Sequence, residues 1–343
     1  MRVDPRMVAL VAVALALAAG CADKSPSTTA EPVTFGSSSP SASGTASAPP
    51  TGPPVDPRTI LPLAGTVGKD PATRARPAVA TVLRFAPGGA PVLGLDAADL
   101  VYQQPGKGSG SRLVALYHSA DAGRVGPIGG TQPADVLLLS VIKPIYVHGG
   151  GADRLTSKLT GSGLSQVGPD RAGAGFSTVA GGLYGATATL RKAAPAGART
   201  PAQPLVYGEP GQPISEAQTA SVRSVRVSVP GQPPQVWTRD ATGGWVQSGA
   251  GAPRLRVANL VIVETRYRDL RSDKAGTLVA EPSVLGKGRV TAVSGNRLVK
   301  GAWARPTRTS VANYADAEGV PLRLAPGRTW VLMAPPGTTV SWR

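Results

Sequence analysis

The residues able to do chemistry crowd into one stretch, 99–153. Both histidines of the chain, His118 and His148, lie there, and each ends an apolar run (R-L-V-A-L-Y-H and I-Y-V-H). Paired with Asp99, Asp121 or Asp153, either histidine would be a general base with an orienting carboxylate. Ser109, Ser111, Ser119 and Ser140 are the nearby hydroxyls such a base would activate. No G-x-S-x-G nucleophile elbow occurs. The same histidines also read as neutral rings hydrogen-bonded at strand ends. Metal binding would require both of them and a carboxylate to converge. No metal, cofactor or catalytic residue is assigned.

Between the two apolar runs at 100–104 and 112–118 lies G-K-G-S-G-S (106–111). Its glycines would let backbone N–H groups approach an anion, with Lys107 adding charge. It lacks the Lys-Ser/Thr pair of a P-loop and the spacing of a dinucleotide fingerprint, and it also reads as a plain connection between strands. Arg112, beside the loop, would clamp a carboxylate or phosphate, or form an ion pair with Asp99 or Asp121. Asp99, Lys107, Arg112, Tyr146 and His148 are the candidate binding residues.

The elements that must position them follow from periodicity. Val79–Phe85, Leu100–Gln104, Arg112–His118 and Ile145–His148 are expected strands, and apolar residues on both faces of the third mark it as buried. Pro133–Val141 is expected to be a helix with proline near its first turn. Further helices are expected over 153–165 and 186–194, with a loop over 176–184. A Pro/Ala/Gly/Gln-rich linker is placed over 195–213. Beyond it strands are expected over 224–229, 235–239, 244–247, 260–267, 288–294, 297–305, 320–324 and 329–333, with a D-A-T-G turn making one hairpin. The fold class is therefore α+β. A layered α/β N-terminal domain (77–212) precedes a mostly antiparallel β C-terminal domain (217–343). All five tryptophans (237, 245, 303, 330, 342) fall in the second region. They read as core residues, Trp303 and Trp330 above all, or as sugar-stacking platforms.

The amino terminus reads as an export signal. Arg2 and Arg6 precede an uncharged run, Met7–Ala19, too short to span a bilayer, which takes about 20 residues. The run ends A-A-G-C, a bacterial lipobox in which Leu17 sits one place upstream of the usual position. Cys21 is the only cysteine, which excludes an intrachain disulfide and a cysteine-rich zinc site. It falls where lipid transfer requires a thiol. Residues 1–21 are thus expected to be a lipoprotein signal peptide. Residues 22–58, rich in Ser, Thr, Pro, Ala and Gly, are expected to be a disordered tether.

The chain has 343 residues and a net charge of +16, which draws in anions. Its basic residues are scattered and aromatics make up only 4%, too few for base-stacking platforms. With the export signal, this argues against nucleic acid and toward anionic lipid or wall polymer.

In the first region A-D-L-V-Y (98–102), Arg112 with its strand, R-V-G-P (124–127) and I-Y-V-H-G-G-G (145–151) carry a resemblance. In the second it rests on A-N-L-V-I-V (258–263), G-K-G (286–288), G-A-W (301–303) and A-P-G-R-T-W-V (325–331). In order and spacing these motifs resemble the YerB-like lipoproteins, a two-domain family of unknown function. The resemblance implies an α+β first domain and an exported, lipid-anchored protein, and supplies no reaction. Relatives carry a glutamate after the Val-Tyr pair, an acid in the next loop and arginines after the Gly-Pro pair. Here Gln103 replaces the first, 105–110 holds no acid and 128–133 holds no arginine. The ionic part of any family site is therefore expected to be lost.

Three functions are weighed. The first is a non-catalytic envelope lipoprotein that binds an envelope protein or an anionic wall or lipid polymer. The second is an enzyme acting on a wall or lipid-linked substrate through His148, a carboxylate and Arg112. The third, a transporter's solute-binding protein, would need two α/β lobes, against the β-rich second region.

Overall fold

A computed structural model describes residues 56–343, apart from 87–88, 107–109, 152–155, 158, 160, 218, 249–254 and 272–277. The expected signal peptide with Cys21, the expected tether up to residue 55, Lys107 and residues 153–155, 158 and 160 of the helix expected over 153–165 lie outside the described residues, and 161–165 of that expected helix are turn and irregular chain.

A short helix, α1 (Pro71–Ala75), is capped by the Asp70 carboxylate, which accepts from the amides of Ala72 and Thr73. Three strands follow: β1 (Val79–Phe85), β2 (Leu100–Pro105) and β3 (Ser111–Tyr117). Every position of β2 is buried, and in β3 every one but Arg112. Side chains on both faces of a strand can be buried only if both faces of the sheet are covered. Helix α2 (Pro133–Leu139), β4 (Ile145–Val147), β5 (Gln166–Val167), the hairpin β6 (Ser177–Val179) and β7 (Gly182–Tyr184), and α3 (Thr187–Lys192) complete the first region.

The second region is built of strands. They are β8 (Ala220–Ser221), β9 (Ser224–Ser228), β10 (Gln235–Arg239), β11 (Trp245–Ser248), β12 (Arg256–Val257) and β13 (Asn259–Glu264). An arm of β14 (Tyr267–Arg271) and β15 (Leu278–Pro282) follows. Then come β16 (Gly286–Ser294), β17 (Arg297–Arg305), β18 (Asn313–Asp316), β19 (Thr329–Ala334) and β20 (Thr339–Trp342).

The two regions meet inside one 11-stranded sheet of order β18-β17-β16-β13-β19-β2-β3-β1-β4-β5, with β8 on β17. The seam is β19 against β2, parallel, with Trp330 opposite Val101. β13 also runs parallel to β19, an exception to the antiparallel pattern of the second region. Above one face lies a five-stranded sheet, β12-β11-β10-β9-β20. Its inward residues Val225, Val227, Trp237 and Trp245 join Leu113, Leu260 and Trp330 in one apolar cluster. On the other face Leu138 and Leu139 of α2 pack over Val82, Val114 and Val331.

The second region holds α2 by both poles. At its start the buried Glu281 carboxylate accepts the Ala134 N–H (2.8 Å). Toward its end Arg305 donates to the Leu137 carbonyl (2.7 Å) and to the Ser140 hydroxyl (3.0 Å). These are the groups a helix end leaves unpaired, and each charge has the sign its pole favours.

Several expected elements shift. Residues 176–184 form the β6–β7 hairpin and not a loop. The stretch 320–324 supplies only isolated bridges, and the strand lies earlier at β18, because the Asp316 carboxylate accepts the Val320 amide and turns the chain there. Residues 195–213 are not a free linker. Leu205 is buried, and Tyr207 bridges to Leu324 and donates to the Leu63 carbonyl at 2.6 Å. Four tryptophans are core residues, whereas Trp342 is 37% exposed with the Lys300 ammonium 4.6 Å above its ring.

Candidate functional site

β1, β4 and β5 form a parallel edge of the large sheet. Ligands of such sheets gather at the carboxyl ends of the strands, and His148 immediately follows β4. The site grows from there. The segment 127–131 runs alongside, with the Gly129 amide on the Val82 carbonyl (2.8 Å) and the Thr131 amide on the Gly150 carbonyl (2.9 Å).

At its centre is Asp135, fully buried in the first turn of α2. It accepts both terminal nitrogens of Arg112, the Tyr146 hydroxyl and the backbone amide of Gln132 (2.8 Å). Arg112 also reaches the Gly130 carbonyl (3.1 Å) and Gln104 Oε1 (3.3 Å). Burial alone would make the Arg112 guanidinium easier to deprotonate, but Asp135 and Tyr146 outweigh it and hold it above the usual value. Burial, then the Asp135 charge, push the Tyr146 phenol well above its ordinary range.

The His148 ring stacks on Tyr146 at 5.3 Å and 26°. Its Nδ1 accepts the Gly150 N–H (3.1 Å), which places the proton of the neutral ring on Nε2. The side chain of Gln166 lies near enough to favour a charged ring, yet no well-formed hydrogen bond reaches Nε2. Gly168 makes room for the ring, since a Cβ there would stand 3.2 Å from Cε1. The buried amide nitrogen of Gln104 is likewise without a partner. The charges of the cluster are thus spent on one another, and the unmet donors are neutral.

Two expectations need correction. The partner of Arg112 is Asp135, not Asp99 or Asp121. Asp99 stands apart from the cluster. Its carboxylate accepts the amides of His118 (2.6 Å) and Ser119 (2.8 Å) and the Ser119 hydroxyl. The β2–β3 register sets Leu100 opposite Leu116 and Gln104 opposite Arg112, so Asp99 and Arg112 occupy opposite ends of the pair. Asp121 joins Arg76 and Arg191. His118 and His148 do not converge: His118 Nε2 faces the Arg76 carbonyl (3.1 Å). No group of three or more His, Cys, Asp or Glu able to hold a metal occurs among the described residues.

Of the glycine loop, the described ends are engaged. Gln232 donates to the carbonyls of Gly106 (3.1 Å) and Gly110 (3.0 Å).

Both histidines lie below their ordinary value, first because burial disfavours the charged ring. A histidine harder to protonate when folded contributes stability that is complete above about pH 6.5 and lost as pH falls toward the folded pKa. The melting temperature is expected to drop from about pH 7 to about pH 5. A His118→Gln/His148→Gln double variant should show a shallower drop. An equally steep drop in that variant would assign the effect elsewhere.

Two family models match the chain: the N-terminal domain of a protein of unknown function (DUF3048) over 63–197, and the C-terminal domain of the same family over 234–331. The chain belongs to the DUF3048 family. The crystal structure of YerB protein from Bacillus subtilis is similar at 21% identity and a TM-score of 0.67, covering 82% of this chain and 99% of that one. That likeness concerns the fold, and it agrees with the YerB-like two-domain architecture expected from the motifs. No curated protein matches the chain.

Several residues in or beside the motifs of the resemblance serve the scaffold. Trp303 Nε1 donates to the Glu264 carbonyl (2.8 Å), and a Cβ on Gly288 would stand 2.5 Å from that same oxygen. Gln103 accepts the Trp330 indole N–H (3.0 Å) and donates to Ser111 Oγ (3.0 Å). An amide there bridges one donor and one acceptor without burying a charge.

Proposed function

We propose that this DUF3048 chain is an exported lipoprotein held on the extracytoplasmic face of the bacterial cell membrane through lipid on Cys21. Its folded body is a non-catalytic binding module for an envelope protein or an anionic wall or lipid polymer. The observation that carries the binding reading is the mutual neutralisation at the site. Arg112 and Asp135 satisfy each other, and the His148 ring contacts Gly150 and Tyr146 and hydrogen-bonds no carboxylate among the described residues. A general base needs a carboxylate to orient it or a substrate proton within reach. The net charge of +16 supports an anionic partner.

The anchor rests on the leader and its lone cysteine. Two or more acyl chains hold a protein firmly, at about 0.8 kcal/mol per buried methylene. In cell fractionation the parent chain is expected in the membrane pellet, with Cys21→Ser moved to the soluble fraction or retained as an unprocessed precursor. Unchanged size and pelleting of Cys21→Ser would refute lipidation.

The second reading, an enzyme on a wall or lipid-linked substrate, is favoured by the contiguity of His148, Tyr146, Asp135 and Arg112. Under it His148→Ala abolishes activity. Under the binding reading His148→Ala leaves partner capture intact.

A further inference from the structure

A cavity of about 500 Å³ opens between α2 and the β14–β15 arm, and His148, Tyr146 and Arg112 are not among its lining residues. Its volume falls within the range of small-molecule sites. One wall is apolar, with Val136 and Leu137 from the helix and Val284 and Leu285 beyond the arm. Arg268 and Arg308 also line it. The acid of the cavity, Glu281, is already used. One carboxylate oxygen takes the Ala134 N–H (2.8 Å), and the other takes Arg268 Nε (2.8 Å).

The Arg268 side chain is 67% exposed, with Nε and one terminal nitrogen turned to the buried Glu281 (2.8 and 2.5 Å) and the rest of the group facing outward. Arg308 is exposed, and its guanidinium has no partner among the described residues. Its backbone is nonetheless fixed, because its carbonyl accepts the Ser140 hydroxyl (2.6 Å). The cleft therefore sets guanidinium groups beside an apolar wall, with the one carboxylate among its described lining residues neutralised.

We infer that this cleft binds a phosphate-bearing amphiphile. The phosphate is held between Arg308 and the solvent side of Arg268, and the apolar chain lies along Val136, Leu137 and Leu285. Guanidinium groups match phosphate in geometry and charge, and the aliphatic wall selects against phosphate that carries no chain. The inference deepens the binding reading above and names a ligand class for it, at a place the sequence motifs do not mark.

The test is calorimetric titration of the purified full chain with decyl phosphate below its micelle concentration, with inorganic phosphate and decyltrimethylammonium in parallel. Decyl phosphate is expected to bind at least tenfold more tightly than either control. Arg308→Ser, on an exposed side chain, should weaken it at least tenfold, with an unchanged melting temperature. Equal binding of inorganic phosphate would remove the amphiphile, equal binding of decyltrimethylammonium would remove the phosphate, and an unaffected Arg308→Ser would remove the site. Failure here with retained binding to wall polymer would overturn the cleft alone. Success here without polymer binding would overturn the polymer form of the binding reading.

Discussion

Asp135→Ala is expected to destabilise the folded body by about 3–5 kcal/mol, the cost of breaking a buried ion pair from one side. The variant leaves the Arg112 guanidinium, whose side chain is 12% exposed, without its counter-charge. It also strips the Gln132 amide of its acceptor and leaves the Tyr146 hydroxyl only the longer contact to Thr131 Oγ1 (3.1 Å). Water cannot readily replace Asp135, because the residue has no exposed surface. Denaturant unfolding of the full chain, followed by tryptophan fluorescence, checks the loss. Arg112→Met/Asp135→Leu is the informative companion, since removing both charges into similar volumes should restore most of the stability. A single-variant loss under about 1 kcal/mol would mean that Arg112 finds solvent, and the lock would then be a surface pair.

Trp330→Ala should cost a similar amount, about 3–5 kcal/mol, by a different route. Trp330 has no exposed surface and lies on β19, the strand that joins the regions by pairing with β13 on one side and β2 on the other. Its ring meets Trp237 of the second sheet at 5.4 Å and 58°, an inclined aromatic contact. Truncation opens a cavity between the two sheets and leaves Gln103 Oε1 without its donor. Trp330→Phe keeps most of the volume and loses the hydrogen bond, so about 1–3 kcal/mol is expected. Since the seam carries both regions, thermal unfolding by calorimetry should stay a single transition at lower temperature. A variant in which one region melts separately would show the seam to be dispensable.

What the sequence made legible is what repeats locally. β1 and β17 lie where the apolar pattern put them, and β2, β3 and β19 differ by a residue or so, because alternation and flanking glycines are short-range signals. The binding candidates were half legible. Arg112, Tyr146 and His148 do come together, but the group that joins them, Asp135, drew no attention inside an apolar helix. One local signal was available. Q-P-A-D places an acid three residues after the helix cap, where its carboxylate returns to the cap amide. Its reach to Arg112 crosses 23 residues, and that of Glu281 to Ala134 crosses 147, so neither leaves a periodic trace. Asp99 misled because the starts of two successive antiparallel strands lie at opposite ends of the hairpin in space. Gln103 read as a lost charge, and its surroundings explain it better as an amide matched to Trp330 and Ser111.

The central claim, a charge-led binding module, is tested most directly by cosedimentation of the purified full chain with anionic wall polymer across a salt series. The account predicts capture at low ionic strength and its loss as the Debye length shrinks from about 30 Å at 0.01 M salt toward about 8 Å at 0.15 M. His148→Ala should follow the same curve. A chain that ignores the polymer at the lowest salt, or one whose capture is indifferent to salt, would contradict it.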